Sequence, residues 1–561
     1  MRLILKRFIQ LLLIAAVLWG AWFLAQRAGI APLSYQDFIQ KADYQLGALD
    51  PEGYTVHGGP LLDGLNMPGD QGLQYLSRLN DPRLSADTAR WKLAKGLLNT
   101  LQGYDPENLS EVEQKAYPQV RRYLERLAHK NAPYSQFGLL NIPDGAIYQT
   151  PFRLAYAHPV KNRDQAQAYL ARMRRLGPKI DTWIKSLRNQ KAGIPSPSLR
   201  QAAVFCQRLA NTPSRKHPLY RTFATRMVRA GENRITQTEA IELLDRVASI
   251  LDERIGPAYG RMGEALEAIL EQNIETTISL EEAVVFEGGE PFDKAQLIAQ
   301  LESELAALDT LIQVSGKASD FSPNYTAALR DTLQLMVDDL GKKSQGMFLN
   351  VPAIRTVEIE LQDSLFQAMG QAYVYLPGDL ADTRKAKLFV HPEQLANVQT
   401  NGRTHLIHAA MPGLHWHVWN KRSNKTRSRL GRTFQIPAHD GGWQLYAAHI
   451  ANEISLNVTS LGPVKGYPEG KNMYFRRKAL AISLALAEIK FGQDEQAVIQ
   501  YVSAKTKLTP SEAELFVNQA LSRPGLSLAS WQYYQQLLKK RAVAESQEGF
   551  YMAEFHEGLL R

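Results

Sequence analysis

Apolar residues recur along most of this chain at steps of three and four, the spacing of an α-helix with one face packed on a core. Residues 164 to 190 show the pattern with Arg and Lys on the polar face. Thr236-Gln237-Thr238-Glu239 is a capping box, and Ile241, Leu244, Ala248, Leu251 and Ile255 follow it at helical spacing. Ile298, Leu301, Leu305, Leu308 and Ile312 predict a long amphipathic helix over residues 293–313. That stripe covers only about two heptads, so packing on the chain's own core is expected before a dimer seam. Thr509-Pro510-Ser511-Glu512 marks another helix start. Residues 30 to about 130 mix helical patterns with turns such as Leu61-Leu62-Asp63-Gly64. Period-two alternation is sparse. Ala372–Leu376 and Ala386–Val390 flank Pro377-Gly378-Asp379 and predict a strand pair. The expected fold is mostly α, a large helical body with a small β element.

Near the start, the pattern loses its period. Phe8 to Ala25 is an uncharged apolar run, preceded by Arg2, Lys6 and Arg7 and followed by Arg27. Eighteen residues of helix span roughly 27 Å, close to the hydrocarbon core of a bilayer. The heavier positive flank predicts a cytoplasmic N-terminus and an exported body. Residues 1–30 thus read as a signal-anchor, one N-terminal transmembrane helix holding the protein in the inner membrane through residues 8–25 with the body in the periplasm. A cleaved signal peptide is the alternative, but Phe23-Leu24-Ala25-Gln26-Arg27 is a poor cleavage context. Acylation is not expected, because Cys206 is the sole cysteine. It also excludes an intramolecular disulfide and a cysteine-rich metal site.

The 561 residues are 45% hydrophobic and 22% charged, ordinary for a globular protein, and disorder is not expected. A net charge of +9 over this length is a mild basic bias that does not point to nucleic acid. No nucleophile elbow, phosphate-binding loop or dinucleotide fingerprint is present.

The chemically suggestive stretch runs from Thr404 to His417, where His405, His408, His415 and His417 fall within thirteen residues. Imidazole is a common zinc ligand, but histidines without nearby carboxylates are more often polar packing groups. His408 and His415 are seven apart and would share a helix face but for Pro412-Gly413 between them. His449 and Glu453 are four apart, and His439-Asp440 precedes Gly441-Gly442 as a helix cap.

Four segments together resemble a known family. His408-Ala409-Ala410-Met411-Pro412-Gly413-Leu414-His415 resembles its H-E-G-x-P-G-H-H motif. Gly441-Gly442-Trp443-Gln444-Leu445-Tyr446-Ala447-Ala448 resembles E-G-W-A-L-Y-A-E. Pro524 to Ser530 is similar to P-G-Q-A-L-A-Y, and Phe555 to Leu560 to F-H-D-x-L-L. Order and spacing agree over residues 350–561 with the bacterial domain-of-unknown-function 885 family, relatives of zinc metallopeptidases. The resemblance implies a zincin-like body, with residues 31–345 as a helical N-terminal region and 346–561 as the metallopeptidase-like region.

The departures fall on chemistry. The resemblance places a general base at Ala409, a histidine at Leu414, a ligand carboxylate at Gly441 and a second carboxylate at Ala448. Glu488 is nearest to a further family histidine. Trp443 and Tyr446 are retained, and Gly441 is expected to hold a backbone conformation that resists a side chain. The implied protein is a catalytically inactive metallopeptidase homologue with no bound metal, whose cleft (His408, Ala409, Leu414, His415, Gly441, Trp443, Tyr446, Ala448) binds a peptide, a cell-wall fragment or a protein partner. The alternative is an active zinc peptidase with ligands rearranged onto His408, His415, His449 and Glu453. Finally, Lys421, Arg422, Lys425, Arg427, Arg429 and Arg432 lie within twelve residues free of acid. That run reads as a solvated loop or as a contact for an anionic surface.

Overall fold

The computed structural model describes residues 33–560 except 59–68, 131–136, 190–193, 231–234, 273–278, 313–325, 350, 352–355, 396–401, 455 and 457–466. The predicted anchor at 8–25 and the turn at Leu61–Gly64 lie outside the described residues. Among the described residues no helix is long and apolar enough to cross a membrane.

The protein is mostly helical, and its local signals act as expected. Thr236 and Glu239 form the reciprocal cap of the Gln237–Ile250 helix, and Thr509 and Glu512 do the same for Pro510–Ser522. Arg163–Arg188 is one continuous helix. Leu301, Leu305 and Leu308 of Lys294–Asp309 face the chain's own core, together with Ile312. The stripe after Thr236 is displaced: Leu243, Val247 and Ile250 are buried, whereas Ile241 is 55% exposed. A π-helical turn follows over Leu251–Ile255, and there Leu251 and Ile255 are buried as the spacing predicts. It adds a residue to one turn, so positions before and after it do not share a uniform helical phase.

The predicted strand pair forms: β2 (Tyr373–Leu376) runs antiparallel to β3 (Ala386–Val390). A third strand, β1 (Val357–Leu361), was not predicted and pairs with β3 in parallel, giving the order β1-β3-β2. This sheet divides the two largest hydrophobic clusters. Val374, Leu376 and Phe389 join a core built mainly from helices between Ile147 and Leu266. Val357, Ile359, Ala386, Leu388 and Val390 point the other way, into a core that begins at Val284 and ends at Leu560. Alternation along each strand puts successive residues on opposite faces, so one small sheet serves both cores.

Candidate functional site

The first motif sits against the second core. Every residue of the Arg403–Ala409 helix is buried. His405 and His408 lie close to Arg477. Burial, reinforced by that guanidinium, holds both imidazoles well below their usual pKa and keeps them neutral. His405 Nδ1 and His408 Nε2 have no hydrogen-bond partner. Ala409 and Ala410 pack in the core.

The chain then turns sharply at Gly413. A Cβ there would collide with the carbonyl oxygens of Ile407 and His408, which accounts for the glycine. The turn starts a second helix, Leu414–Ser423. His408 and His415 therefore do not share a helix face. His415 turns to the sheet, with Nε2 2.8 Å from Thr356 Oγ1 and Nδ1 3.0 Å from the Tyr375 hydroxyl. Both ring nitrogens are occupied, and burial lowers its pKa to about 3. Leu414 is half-buried.

The second motif lies on the Pro437–Glu453 helix, which packs beside the first. Buried Trp443 donates its indole N–H to Pro412 O at 2.9 Å and stacks on His417. The Tyr446 hydroxyl is 2.9 Å from His556 Nε2, while His556 Nδ1 is 2.8 Å from Met347 O. The second and closing motifs, 110 residues apart, thus meet in one hydrogen bond. His439-Asp440 does not cap this helix, whose cap position is Ile436. Asp440 instead pairs with His417 at 3.1 Å, and His439 stacks on Tyr533.

Gly441 has no positive φ, so its backbone does not exclude a side chain. The obstacle is steric. A Cβ would collide with Ser530 Oγ and lie 2.9 Å from Ser530 Cβ, on the neighbouring Leu526–Glu545 helix. At Gly442 it would lie 2.7 Å from Ser530 O. The glycine pair lets the two helices close on each other, and Ser530 fills the place from which a carboxylate at 441 would extend. Ala448 is buried beside them.

His449 and Glu453 are paired at 3.2 Å on one helix face. They are not joined to His408 or His415: His449 Nδ1 meets the Tyr474 hydroxyl at 3.0 Å, and Glu453 also binds Arg541 at 2.7 Å. Burial raises the Glu453 pKa, but the bonds from His449 and Arg541 outweigh it and hold the carboxyl at about 2. Among the described residues no group of three or more His, Cys, Asp or Glu is arranged to hold a metal ion. The residues present do not fit zinc. Ala409 and Gly441 supply no ligand or base, His415 is committed to two hydroxyls, and the Arg477 charge beside His408 opposes a second cation.

The basic run is no solvated loop. Lys421 and Arg422 are buried. Lys421 donates to Phe434 O at 2.6 Å and Arg422 binds His57 Nδ1 at 3.0 Å. Arg427 donates to Gln119 and Leu560 O, Arg429 pairs with Asp43 at 3.1 Å, and Arg432 donates to Arg422 O. Only Lys425 of the six is exposed. Carbonyls and carboxylates from remote segments draw these side chains inward.

Two buried groups lie near the third motif: Glu488, which the sequence offers only as the residue nearest a family histidine, and Arg523, which it does not single out. Arg523, beside Pro524-Gly525, makes a bidentate pair with Glu287 at 2.9 and 2.8 Å and binds Asp144 at 2.6 Å. Glu488 is 4% exposed, and its two oxygens lack a hydrogen bond of good geometry. Burial pushes its pKa up to about 8 against the opposing pull of Ser527 and the amides of Gly525 and Leu528. The signal for Glu488 was its place opposite a motif histidine. For Arg523 there was none, because its partners are over 230 residues away.

A search among curated proteins finds no match. Two solved structures share the fold. A candidate lipoprotein from Colwellia psychrerythraea aligns at a TM-score of 0.79, with 15% identity over 94% of this chain and 97% of that one. A candidate lipoprotein of unknown function from Shewanella oneidensis aligns at 0.60, with the same identity and coverage. Residues 67–561 match the family described as bacterial protein of unknown function, DUF885. The match spans most of the length and all four motifs, and the chain belongs to the DUF885 family.

Proposed function

We propose that this protein is an envelope-associated DUF885 member that binds a peptide, cell-wall fragment or protein partner and does not hydrolyse it. The observation that carries this reading is the packing at Gly441. Ser530 occupies the space a ligand carboxylate would need, and the base position is Ala409 in the core. General-base assistance is typically worth about 10²–10⁴ in rate, and loss of a ligand compounds it by weakening metal retention. Similarity to candidate lipoproteins supports an envelope location. With Cys206 buried and remote from residues 8–25, the hydrophobic segment serves as the anchor in this reading, with the N-terminus cytoplasmic and the body periplasmic.

The test is a peptide panel assayed with and without added zinc, beside metal analysis of purified protein. No turnover is expected, nor stoichiometric zinc that depends on His408. Chelator-sensitive cleavage abolished by His408→Ala would overturn the reading.

A further inference from the structure

The face of the sheet turned away from the motifs borders a cleft of about 1560 Å³, lined by the Pro218–Ala230 helix, the 155–161 segment and the strands β1 and β3. Ordinary small-molecule pockets are about 300–1,000 Å³, so this one suits an extended ligand. Its lining carries six cations and three carboxylates. Two cations are neutralised in place: Arg221 pairs with Asp363 at 3.0 Å and Lys387 with Glu360 at 2.8 Å. Arg226 donates to His158 O and Thr222 O and lies over the Tyr169 ring, with no carboxylate partner. Arg229 and Lys161 are exposed and in no ion pair among the described residues. The sixth, Arg384, donates to Pro377 O and Val56 O and is offset by the nearby Asp379, so three positive charges are left facing one cleft.

We infer that this cleft binds an acidic oligosaccharide through the unpaired charges of Lys161, Arg226 and Arg229. A guanidinium matches a carboxylate by planar, paired hydrogen bonds. The half-buried rings of Tyr75 and Tyr156 and the hydroxyls of Thr222 and Thr225 supply the apolar and hydrogen-bonding surfaces that sugar rings need. A peptide would bind best by adding to a strand edge. At β1 that edge is taken: Gln334 accepts from Ile359 N at 2.9 Å and donates to Val357 O at 3.3 Å. Strand addition at this edge is thus closed, and this favours the glycan. The inference is independent of whether the motif region binds or cleaves anything.

Calorimetric titration of the full-length protein with uronic-acid tetrasaccharides tests it. At least one should bind, with affinity falling as salt rises, and Lys161→Ala together with Arg229→Ala should weaken it roughly tenfold for each charge removed. A neutral glucose tetrasaccharide should not bind, and Arg261→Ala, at a remote exposed pair with Asp181, should change nothing. Binding that survives the double variant overturns the assignment, as does failure of every uronic-acid member. Equal binding of tetraglutamate, lost in the same variant, would replace the glycan with an acidic peptide.

Discussion

One face of the three-stranded sheet carries Tyr375, bonded to His415, and Tyr373, close to Arg477. The other carries Lys387 and Phe389, which border an open cleft. The motif side has its charge buried, with Arg477 set beside His405 and His408. Burial keeps His405, His408 and His415 neutral, Glu488 holds its proton to about pH 8, and Arg523 is locked to Glu287. The cleft side has more cations than carboxylates, and Lys161 and Arg229 among them are exposed. On the first face, motif residues such as His415 and Trp443 are engaged in hydrogen bonds within the fold. The second face keeps unsatisfied charge, and it matches no motif.

The largest expected effect separates the two faces by stability. Arg523→Ala leaves buried Glu287 with only its longer 3.8 Å contact to Arg126, which costs about 3–5 kcal/mol. Arg221→Ala removes an ion pair whose arginine is 63% exposed, worth ~1 kcal/mol or less. Denaturant unfolding of both variants checks the contrast. Equal losses would mean that the buried network does not support the motif side.

Glu488 gives the next effect, and it depends on pH. Below about pH 4.5 the carboxyl is protonated in both the folded and the unfolded chain. Between that value and about 8 the unfolded chain releases the proton and the folded chain keeps it, so stability falls across this window and levels off above it. Glu488→Gln removes that fall. Relative to wild type, the variant should gain roughly 2–4 kcal/mol between pH 4 and pH 8.5, measured by unfolding at both ends. A constant difference would show that the fold leaves the Glu488 pKa at its unfolded value. A smaller loss, about 1–2 kcal/mol, is expected for Tyr375→Phe, which leaves His415 Nδ1 buried without its 3.0 Å partner.

Local signals were legible in the sequence. The caps at Thr236 and Thr509 are each written in four consecutive residues, and the β2–β3 pair is announced by apolar runs on either side of a connection that opens Pro377-Gly378-Asp379. The strand β1 was missed although Val357-Glu358-Ile359-Glu360-Leu361 alternates, because its parallel partner has no connecting hairpin to reveal it. At the site, the losses at Ala409 and Gly441 were readable from the motif, but their cause in packing was not. Ser530 reaches Gly441 from 89 positions along the chain, and it replaced the expected backbone explanation with a steric one. The basic run misled for the same reason. Nothing near residue 421 shows that Phe434 O and His57 will take two of its charges out of water.

That run supplies the smallest predicted effect. A solvated polybasic loop would lose affinity for anionic vesicles at each charge removed, by about 1 kcal/mol per residue. In the fold only Lys425 is exposed, so only its charge is free of packing. Lys425→Ala should leave stability within ~0.5 kcal/mol, as for surface substitutions generally, and lower vesicle binding by no more than about fivefold. Arg422→Ala should instead destabilise the protein, because Arg422 is buried against His57 and its carbonyl oxygen receives Arg432. Thermal unfolding and vesicle co-sedimentation, run on both variants, decide the matter. Loss of vesicle binding with unchanged stability in Arg422→Ala would return the run to the surface and take away the contrast between a closed motif side and an open cleft side.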